Sequence, residues 1–483
     1  MHRHFSGAVL AVLLSACSTL APTYRRPDSP VARDWPGAAS PAARAASEVA
    51  ASERTDLSDW QDFIVDPPLR RLVALALTEN RDARATALKI ERVQAQFQIA
   101  RAALYPAINA DAGHLATLTP ADLSVTGRRS VLHEDTVGLG LSAYELDFFG
   151  RVRSLKDAAL EQYLGTEQAY RSTQISLISQ VTAAYLTLLC DRGHLSLARS
   201  TLVTQRAGFD LNQRRFDVGT ISQLDLSQSQ TAVDTARGEV ARYESVVAQD
   251  ANALSLLVGV ALGSDLIGTD GPAEWPALRD VPAGLPSDLL QSRPDVLQAE
   301  HQLRSAYANI GAARAAFFPS ITLTGTFGFA STALSGLFEP SSHAWLFAPQ
   351  LNLPIFDGGR NAANLAIAQT DQRIDLAQYE QSIQAAFREV ADSLAVRATI
   401  EERLAAQRSL VDATALALKL SSAQFNNGIS SYLVVLDSQR ALYAAQQGLL
   451  DLQLAQAINR VTLYKALGGG MGAVSTAHAA KIP

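Results

Sequence analysis

The sequence predicts a mainly helical chain with a small membrane β part, built from two internal repeats of a helix, a β-hairpin and a long helical hairpin. Three observations predict this fold class. A stretch from about 150 to 216 lacks Pro and carries apolar residues seven positions apart, which is the coiled-coil pattern. A second copy of that stretch lies in the other half of the chain. In both halves, a strand-like alternation starts directly after a Pro that ends a helix.

The two long stretches match position by position. The spaced residues of the first copy are Val181, Leu188, Leu195, Leu202, Phe209 and Phe216. Those of the second copy are Val390, Arg397, Leu404, Val411, Leu418 and Phe425. Each copy then reaches a Gly, Gly219 or Gly428, and resumes a helix. A helix of this span is about 100 Å long at about 1.5 Å per residue. We therefore predict two long coiled-coil hairpins, over 150–258 and 358–467.

Composition excludes several classes of protein. The 483 residues carry a net charge of −6 and no basic block, which argues against a nucleic-acid binder. Two Cys provide no disulfide framework. No apolar run is as long as a membrane-spanning helix, so we expect any membrane crossing to use strands.

The N-terminus has the order of a secretory signal. A short basic start precedes an apolar run, and Leu14-Ser15-Ala16-Cys17 follows. The small residues before Cys17 resemble the lipobox of bacterial lipoproteins, so 1–16 is predicted to be the signal peptide and Cys17 the lipidated residue. Ser18 favours the outer membrane by resemblance to the sorting rules of enteric bacteria. The alternative is an ordinary signal peptide in which Cys17 is incidental. We expect 17–60 to form a lipid-anchored N-terminal segment.

The repeats have definable boundaries. The first repeat is predicted over 61–258 and the second over 287–467, with a Gly- and Pro-rich linker at 259–286 and a disordered tail at 468–483. The predicted strands cover about 106–118, 136–147, 319–330 and 344–355. The connections about 117–135 and 330–343 are polar and read as exposed tip loops.

The predicted strands have one apolar face and one small, polar face. In the third strand, Ile321, Leu323, Phe327 and Phe329 alternate with Ser, Thr and Gly. Strands of about ten residues cross a bilayer when tilted, and two-faced strands are typical of a barrel wall between lipid and water. A soluble β-hairpin packed on a core remains the alternative. Four strands cannot close a barrel, so copies must assemble around an axis. The pattern leaves two, three or four subunits open.

Several motifs in order resemble one family. They are the lipobox, Pro22-x-Tyr24-x-x-Pro27, Trp60 with Asp66-Pro67, Leu285-Pro286-Ser287-Asp288, Arg293-Pro294-Asp295, Ala315-Ala316-Phe317-Phe318-Pro319, Leu353-Pro354-Ile355-Phe356-Asp357-Gly358-Gly359-Arg360 and Phe387-Arg388-Glu389-Val390. The chain resembles an outer-membrane factor of tripartite efflux systems, the TolC type, in its lipidated OprM-like branch. The resemblance implies a homotrimer with a twelve-stranded β-barrel in outer-membrane lipid, continued by a periplasmic α-helical barrel. It also implies a periplasmic adaptor and an inner-membrane, proton-driven pump as partners.

The resemblance also implies functional positions. Gly219 and Gly428 are turn residues of the two hairpins, and in the family these tips meet the adaptor. The predicted contact tips are Val218, Gly219, Thr220, Asn427, Gly428 and Ile429. Leu433 and Asp437 lie at the spacing of the family's periplasmic gate, where carboxylates brought together repel and attract cations. Asp437 on a solvated helix face is the alternative. Val434 stands where some relatives carry a second acid, so one acidic ring is expected.

The expected function is a passive exit duct for small molecules such as drugs and toxic compounds. The same architecture serving type I protein secretion is one alternative, and a lipid-anchored periplasmic coiled-coil scaffold that never spans the membrane is another. Cys190 is expected to be a buried small residue, and the 8 His show no pair at metal-ligand spacing on one helix face. We expect no enzyme activity, no cofactor and no metal site.

Overall fold

The computed structural model describes residues 19–32, 35, 59–125, 127–267, 275–280 and 287–469. Cys17, the predicted signal peptide 1–16 and the tail from 470 onward lie outside the described residues. The chain forms two compact units. Unit 1 comprises Met1–Asp28, Lys89–Glu167 and Gln298–Tyr379, and unit 2 comprises Ser29–Leu88, Gln168–Leu297 and Glu380–Pro483.

Helices make up most of the described chain. They are α1 (Trp60–Phe63), α2 (Pro67–Glu79), α3 (Arg81–Ala102), α4 (Arg151–Asp217), α5 (Gln223–Val258), α6 (Ser264–Ile267), α7 (Pro294–Ala315), α8 (Arg360–Asn426) and α9 (Tyr432–Ala466). Both α4 and α8 contain 67 residues, which corresponds to about 100 Å. Short 3₁₀ turns cover Ser287–Ser292, Leu334–Gly336 and Pro340–Ser342. The short helix α6 lies inside the predicted linker 259–286.

The two longest helices begin in the same way. The Asp147 carboxylate accepts the backbone N–H groups of Val152 and Arg153 at 3.2 and 2.9 Å. The Asp357 carboxylate likewise accepts the N–H groups of Gly359 and Asn361 at 2.9 and 2.8 Å. A carboxylate at a helix N-terminus satisfies N–H groups that have no partner within the helix. The related sequences that join strand to helix therefore have the same local function in both repeats.

Unit 1 contains one four-stranded antiparallel sheet. Its strands are β1 (Ile108–Thr119), β2 (Ser130–Leu146), β3 (Ser320–Ser331) and β4 (His343–Asn352), and neighbours in the sheet follow chain order. Only one edge of β1 and one edge of β4 are therefore paired within the described chain. An unpaired strand edge exposes backbone N–H and C=O groups that can pair with another chain.

Two strand limits differ from the expected ones. β2 begins at Ser130 rather than near 136, because its N-terminal residues pair with the end of β1, up to Thr119 opposite Ser130. The connecting loop is correspondingly shorter than 117–135. β4 ends at Asn352 rather than near 355, since Asn352 pairs with Ser320, the first residue of β3. Pro354, which has no N–H to donate, follows closely.

The sheet has two chemically distinct faces. Residues directly opposite each other share a face, and the pairs Leu139 with Phe327 and Phe327 with Trp345 continue one apolar face across three strands. Phe327 is 64% exposed and Trp345 is 75% exposed in the isolated chain. The opposite face carries small and polar residues such as Thr322, Thr324, Gly138 and Gly328. An apolar face this exposed is typical of contact with lipid or a partner.

A pair of glycines allows β2 and β3 to approach closely. Gly138 lies opposite Gly328. A Cβ added at Gly328 would lie 2.2 Å from the Val137 carbonyl oxygen, and one at Gly138 would lie 2.7 Å from the Phe327 carbonyl oxygen. No larger residue fits at either position without moving backbone. Further along, the register of this pair shifts between Leu141 and Tyr144, which is a β-bulge.

Unit 1 also contains a buried carboxylate held by cations. Glu300 on α7 is 1% exposed. It accepts hydrogen bonds from Arg26 and Arg304, each at 2.6 Å, and from the Tyr24 hydroxyl at 3.0 Å. Burial opposes its ionisation, but these hydrogen bonds prevail and lower the pKa of Glu300. This cluster fastens the N-terminal segment to α7.

Unit 2 is organised around a helical core. The Phe63 and Tyr464 rings stack with centroids 4.2 Å apart, and both side chains are buried. Arg293 is 5% exposed and binds the carboxylates of Asp295 and Glu389 at 2.7 and 2.9 Å.

Within α4, one 18-residue window has a mean hydropathy of 1.2, enough for a membrane span by length and composition alone. Because 56% of it is buried inside the chain, as in a core helix, it gives only weak support for a span.

Candidate gate and hairpin tips

The first hairpin tip is a tight helix-ending turn. α4 ends at Asp217, and Gly219 adopts φ +72°. The Gly219 N–H donates to the Phe216 carbonyl at 2.8 Å, and the Thr220 N–H donates to the Arg215 carbonyl at 2.8 Å. This pattern satisfies the last carbonyls of the helix and needs a residue that tolerates positive φ. α5 then starts at a capping box formed by Ser222 and Asp225.

The second tip repeats this geometry. Gly428 adopts φ +73° after the end of α8. Its N–H donates to the Phe425 carbonyl at 3.0 Å, and the Ile429 N–H donates to the Gln424 carbonyl at 2.9 Å. A Cβ added at Gly219 or Gly428 would meet nothing within 4 Å. The glycines are therefore needed for backbone conformation, and the space around them is open.

The two tips present apolar side chains and contact each other. Val218 and Ile429 are each 74% exposed. The Arg215 guanidinium lies 4.8 Å from the centroid of the Phe425 ring and donates to the Asn426 side-chain oxygen at 3.3 Å. A cation over an aromatic face is attracted by the ring quadrupole. Arg215 therefore links the two hairpin ends, a role that sequence reasoning missed.

The predicted gate residues lie on one open face of α9. Leu433 is 46% exposed, whereas its neighbours Tyr432, Val435 and Leu436 are buried in a cluster with Leu418 and Phe425 on α8. Asp437 follows Leu433 by one helical turn. The two gate residues are therefore directed away from the hairpin core, as a contact across an axis would require.

Asp437 has a charged neighbour that the sequence analysis did not consider. Arg440 lies three residues further along α9, and the two charged groups are 3.5 Å apart. Their side chains are 65% and 66% exposed. Each carboxylate brought to an axis would therefore be accompanied by a guanidinium. The i,i+3 spacing is visible in the sequence and could have revealed this pair.

The fold and these geometries define a class of protein, an outer-membrane channel. A family model described as outer membrane efflux protein matches residues 72–260 and 285–469, one segment in each repeat. The chain belongs to this family. The match to both halves agrees with the duplication seen in the helices and strands.

Individual relatives extend over nearly the whole chain. The probable efflux pump outer membrane protein TtgC of Pseudomonas putida is 46% identical over 465 residues, covering 96% of this chain and 94% of the relative. The outer membrane protein OprJ of Pseudomonas aeruginosa is 45% identical over 466 residues, covering 96% and 95%.

Solved structures share this fold over nearly the whole chain. A membrane protein from Pseudomonas aeruginosa has a TM-score of 0.88 at 42% identity, covering 95% of this chain and 99% of that one. The open state of the MtrE outer membrane channel of Neisseria gonorrhoeae has a TM-score of 0.82 at 34% identity, covering 94% and 99%.

These comparisons confirm the predicted family, fold class and outer-membrane location. The described chain is mainly helical, with a four-stranded sheet and two repeats. The roles assigned to Leu433, Asp437 and the six tip residues stay predictions, as does lipidation of Cys17.

Proposed function

We propose that this chain is the outer-membrane exit duct of a tripartite efflux system for small molecules such as drugs and toxic compounds. Relatives that are 46% identical to it are named as efflux pump outer membrane proteins. Outer-membrane efflux channels of this family are trimers that work in tripartite pumps. The duct is passive and performs no catalysis, so the energy for export comes from the partner pump.

The observation that carries the proposal is the sheet with two open edges and one exposed apolar face. The free edge of β4 in one copy pairs with the free edge of β1 in the next, which satisfies backbone groups that lipid cannot. Three copies give twelve strands. With strands about 4.8 Å apart and tilted about 40°, the ring is about 24 Å across. Such a pore passes drug-sized molecules.

The hairpin tips are the docking surface for the other components. Val218 and Ile429 expose apolar side chains beside the two turns. A periplasmic adaptor packs against the tips formed by Val218, Gly219, Thr220, Asn427, Gly428 and Ile429, and an inner-membrane, proton-driven pump feeds the duct.

The closed state is held where Leu433 and Asp437 meet their copies around the axis. The apolar ring excludes water and the acidic ring attracts cations. Docking of the adaptor and the pump separates these rings and opens the duct. Cys17 carries the lipid, and several acyl chains together anchor the N-terminus firmly in the outer membrane.

The proposal is tested by deleting the gene and measuring the susceptibility of the strain to a panel of antimicrobial compounds. We expect increased susceptibility, restored by the wild-type chain. A matched pair of variants sharpens the test. Replacing the exposed tip residue Ile429 by Asp is expected to abolish restoration and adaptor co-purification, whereas Val203→Asp, equally apolar and 68% exposed on α4, is expected to restore resistance.

Unchanged susceptibility after deletion, with no adaptor recovered, would contradict the efflux role. Loss of a secreted protein instead would favour type I secretion. A Cys17→Ser chain that is soluble without detergent and shows no heat-modifiable barrel would favour the periplasmic scaffold.

A further inference from the structure

Unit 2 contains a buried cluster of metal-binding side chains that the gate and the tips do not use. Cys190 and His194 lie one turn apart on the same face of α4, and Asp451 approaches from α9. One potential ligand atom from each residue lies within 4.8 Å of the other two. Cys190 is 2% exposed and His194 is 4% exposed. Sulfur, imidazole and carboxylate ligands together are typical of a zinc-type site.

The imidazole presents one nitrogen to the Asp451 carboxylate. His194 Nε2 lies 3.1 Å from a carboxylate oxygen of Asp451. A metal ion bound at Nε2 would replace this direct contact and be shared by the two residues. Nδ1 lies on the other side of the ring and is buried without a hydrogen-bond partner.

The surroundings hold the imidazole in place. Its ring stacks on Tyr243 with centroids 5.1 Å apart, and the Tyr243 hydroxyl accepts a hydrogen bond from Gln447 at 3.1 Å. α4 and α9 also approach closely here, because a Cβ added at Gly193 would lie 3.2 Å from a methyl group of Leu450. A metal ligand with a fixed orientation loses little freedom on binding.

The cluster is open to solvent on one side. Asp191 adjoins Cys190 in the chain and adds a further carboxylate. The side chain of Asp451 is 66% exposed. This carboxylate therefore provides an entry path from solvent to the two buried ligands.

We propose that Cys190, His194 and Asp451 form a binding site for a divalent transition metal ion of the zinc type. Three protein ligands leave a fourth position for water or for a nearby carboxylate. Ligand atoms bound to one zinc ion lie about 3.5 Å apart, so the observed cluster needs only a small contraction. The bound ion joins α4 of the first repeat to α9 of the second, and the thiol releases its proton to the solvent as the metal–sulfur bond forms. This proposal does not depend on the efflux function.

Spectroscopic titration with Co²⁺ tests the site. Purified full-length protein without a histidine tag is stripped with a chelator and titrated with Co²⁺ in detergent. We expect stoichiometric binding, a thiolate-to-cobalt charge-transfer band and the visible bands of tetrahedral cobalt, all removed by added Zn²⁺. Cys190→Ser is expected to lose the charge-transfer band, and His194→Gln and Asp451→Asn to weaken Co²⁺ binding by about tenfold or more.

His114→Gln is the matched control, since His114 also contacts a carboxylate, Asp135 at 2.8 Å, but its side chain is 57% exposed. This variant is expected to bind Co²⁺ like the wild type. Absence of a charge-transfer band in the wild-type protein would overturn the proposal, and so would its persistence in Cys190→Ser. The wild-type spectrum decides the question even where a variant fails to fold.

Discussion

The ion pair between Asp437 and Arg440 leads to a quantitative prediction about the gate. At the observed 3.5 Å, two unit charges attract by about 1.2 kcal/mol in bulk water. Both side chains are about two-thirds exposed, so salt screening and side-chain entropy reduce this to about 0.5 kcal/mol. Three such pairs around the axis sum to about 1.5 kcal/mol, which is about tenfold in an equilibrium constant.

Arg440→Gln removes the competing cation and leaves the carboxylate in place. A divalent cation such as Mg²⁺ is then expected to suppress the residual conductance of the closed state at about tenfold lower concentration than in the wild type. The assay is the conductance of purified protein in planar lipid bilayers, titrated with Mg²⁺. Asp437→Asn is expected to abolish the block, and the double variant is expected to behave like Asp437→Asn.

Arg237→Gln serves as the control, because Arg237 forms an exposed i,i+3 pair with Asp234 at 3.2 Å on α5, whereas the predicted gate residues lie on α9. An unchanged Mg²⁺ block in Arg440→Gln would refute the reasoning. A block that survives in Asp437→Asn would show that the cation binds elsewhere. Asp437→Ala is also expected to leave the assembly folded and to raise the conductance above that of the wild type.

Three further predictions concern stability and assembly. Gly428→Ala is expected to lower the free energy of unfolding by about 1 kcal/mol, measured by thermal denaturation. The cost comes from the backbone alone, since φ is +73° and an added Cβ meets no neighbouring atom. No change in stability would argue against the turn geometry. Gly328→Ala, whose Cβ would lie 2.2 Å from a carbonyl oxygen, is expected to abolish the heat-modifiable band on gels, and normal assembly would contradict the close β2–β3 approach. The folded-state pKa of Glu300 is depressed, so its stabilising contribution is present above about pH 4.3, the unfolded value, and is lost as pH falls through the lower folded value. Wild-type unfolding temperature is therefore expected to fall more steeply below about pH 4.3 than that of Glu300→Gln, and parallel curves would contradict this.

Features that repeat within the chain were predictable. The matching positions around Gly219 and Gly428 predicted two hairpin turns, and both glycines have positive φ in the structure. Alternation in the Phe- and Thr-rich third strand was clear because one face is apolar and the other polar. Each of these signals depends on residues close in sequence, where spacing alone defines the geometry.

Features that depend on contacts between distant segments were not predictable. The extra length of β2 follows from its pairing with β1, and no residue near Ser130 signals it. The spacing of Cys190 and His194 is visible in the sequence, but their approach to Asp451 arises only when α9 packs beside α4. The contact of Arg215 with Phe425 likewise joins two tips from different repeats.

The unpaired edges of β1 and β4 have a genetic consequence. A copy whose edge cannot pair interrupts the ring for every copy that joins it, so the defect is dominant over intact protein made in the same cell. With equal amounts of defective and intact chains mixing at random in threes, only about one-eighth of the assemblies contain no faulty member. Edge-strand variants expressed from a plasmid would therefore increase the susceptibility to antimicrobial compounds of a strain that still carries its own normal gene.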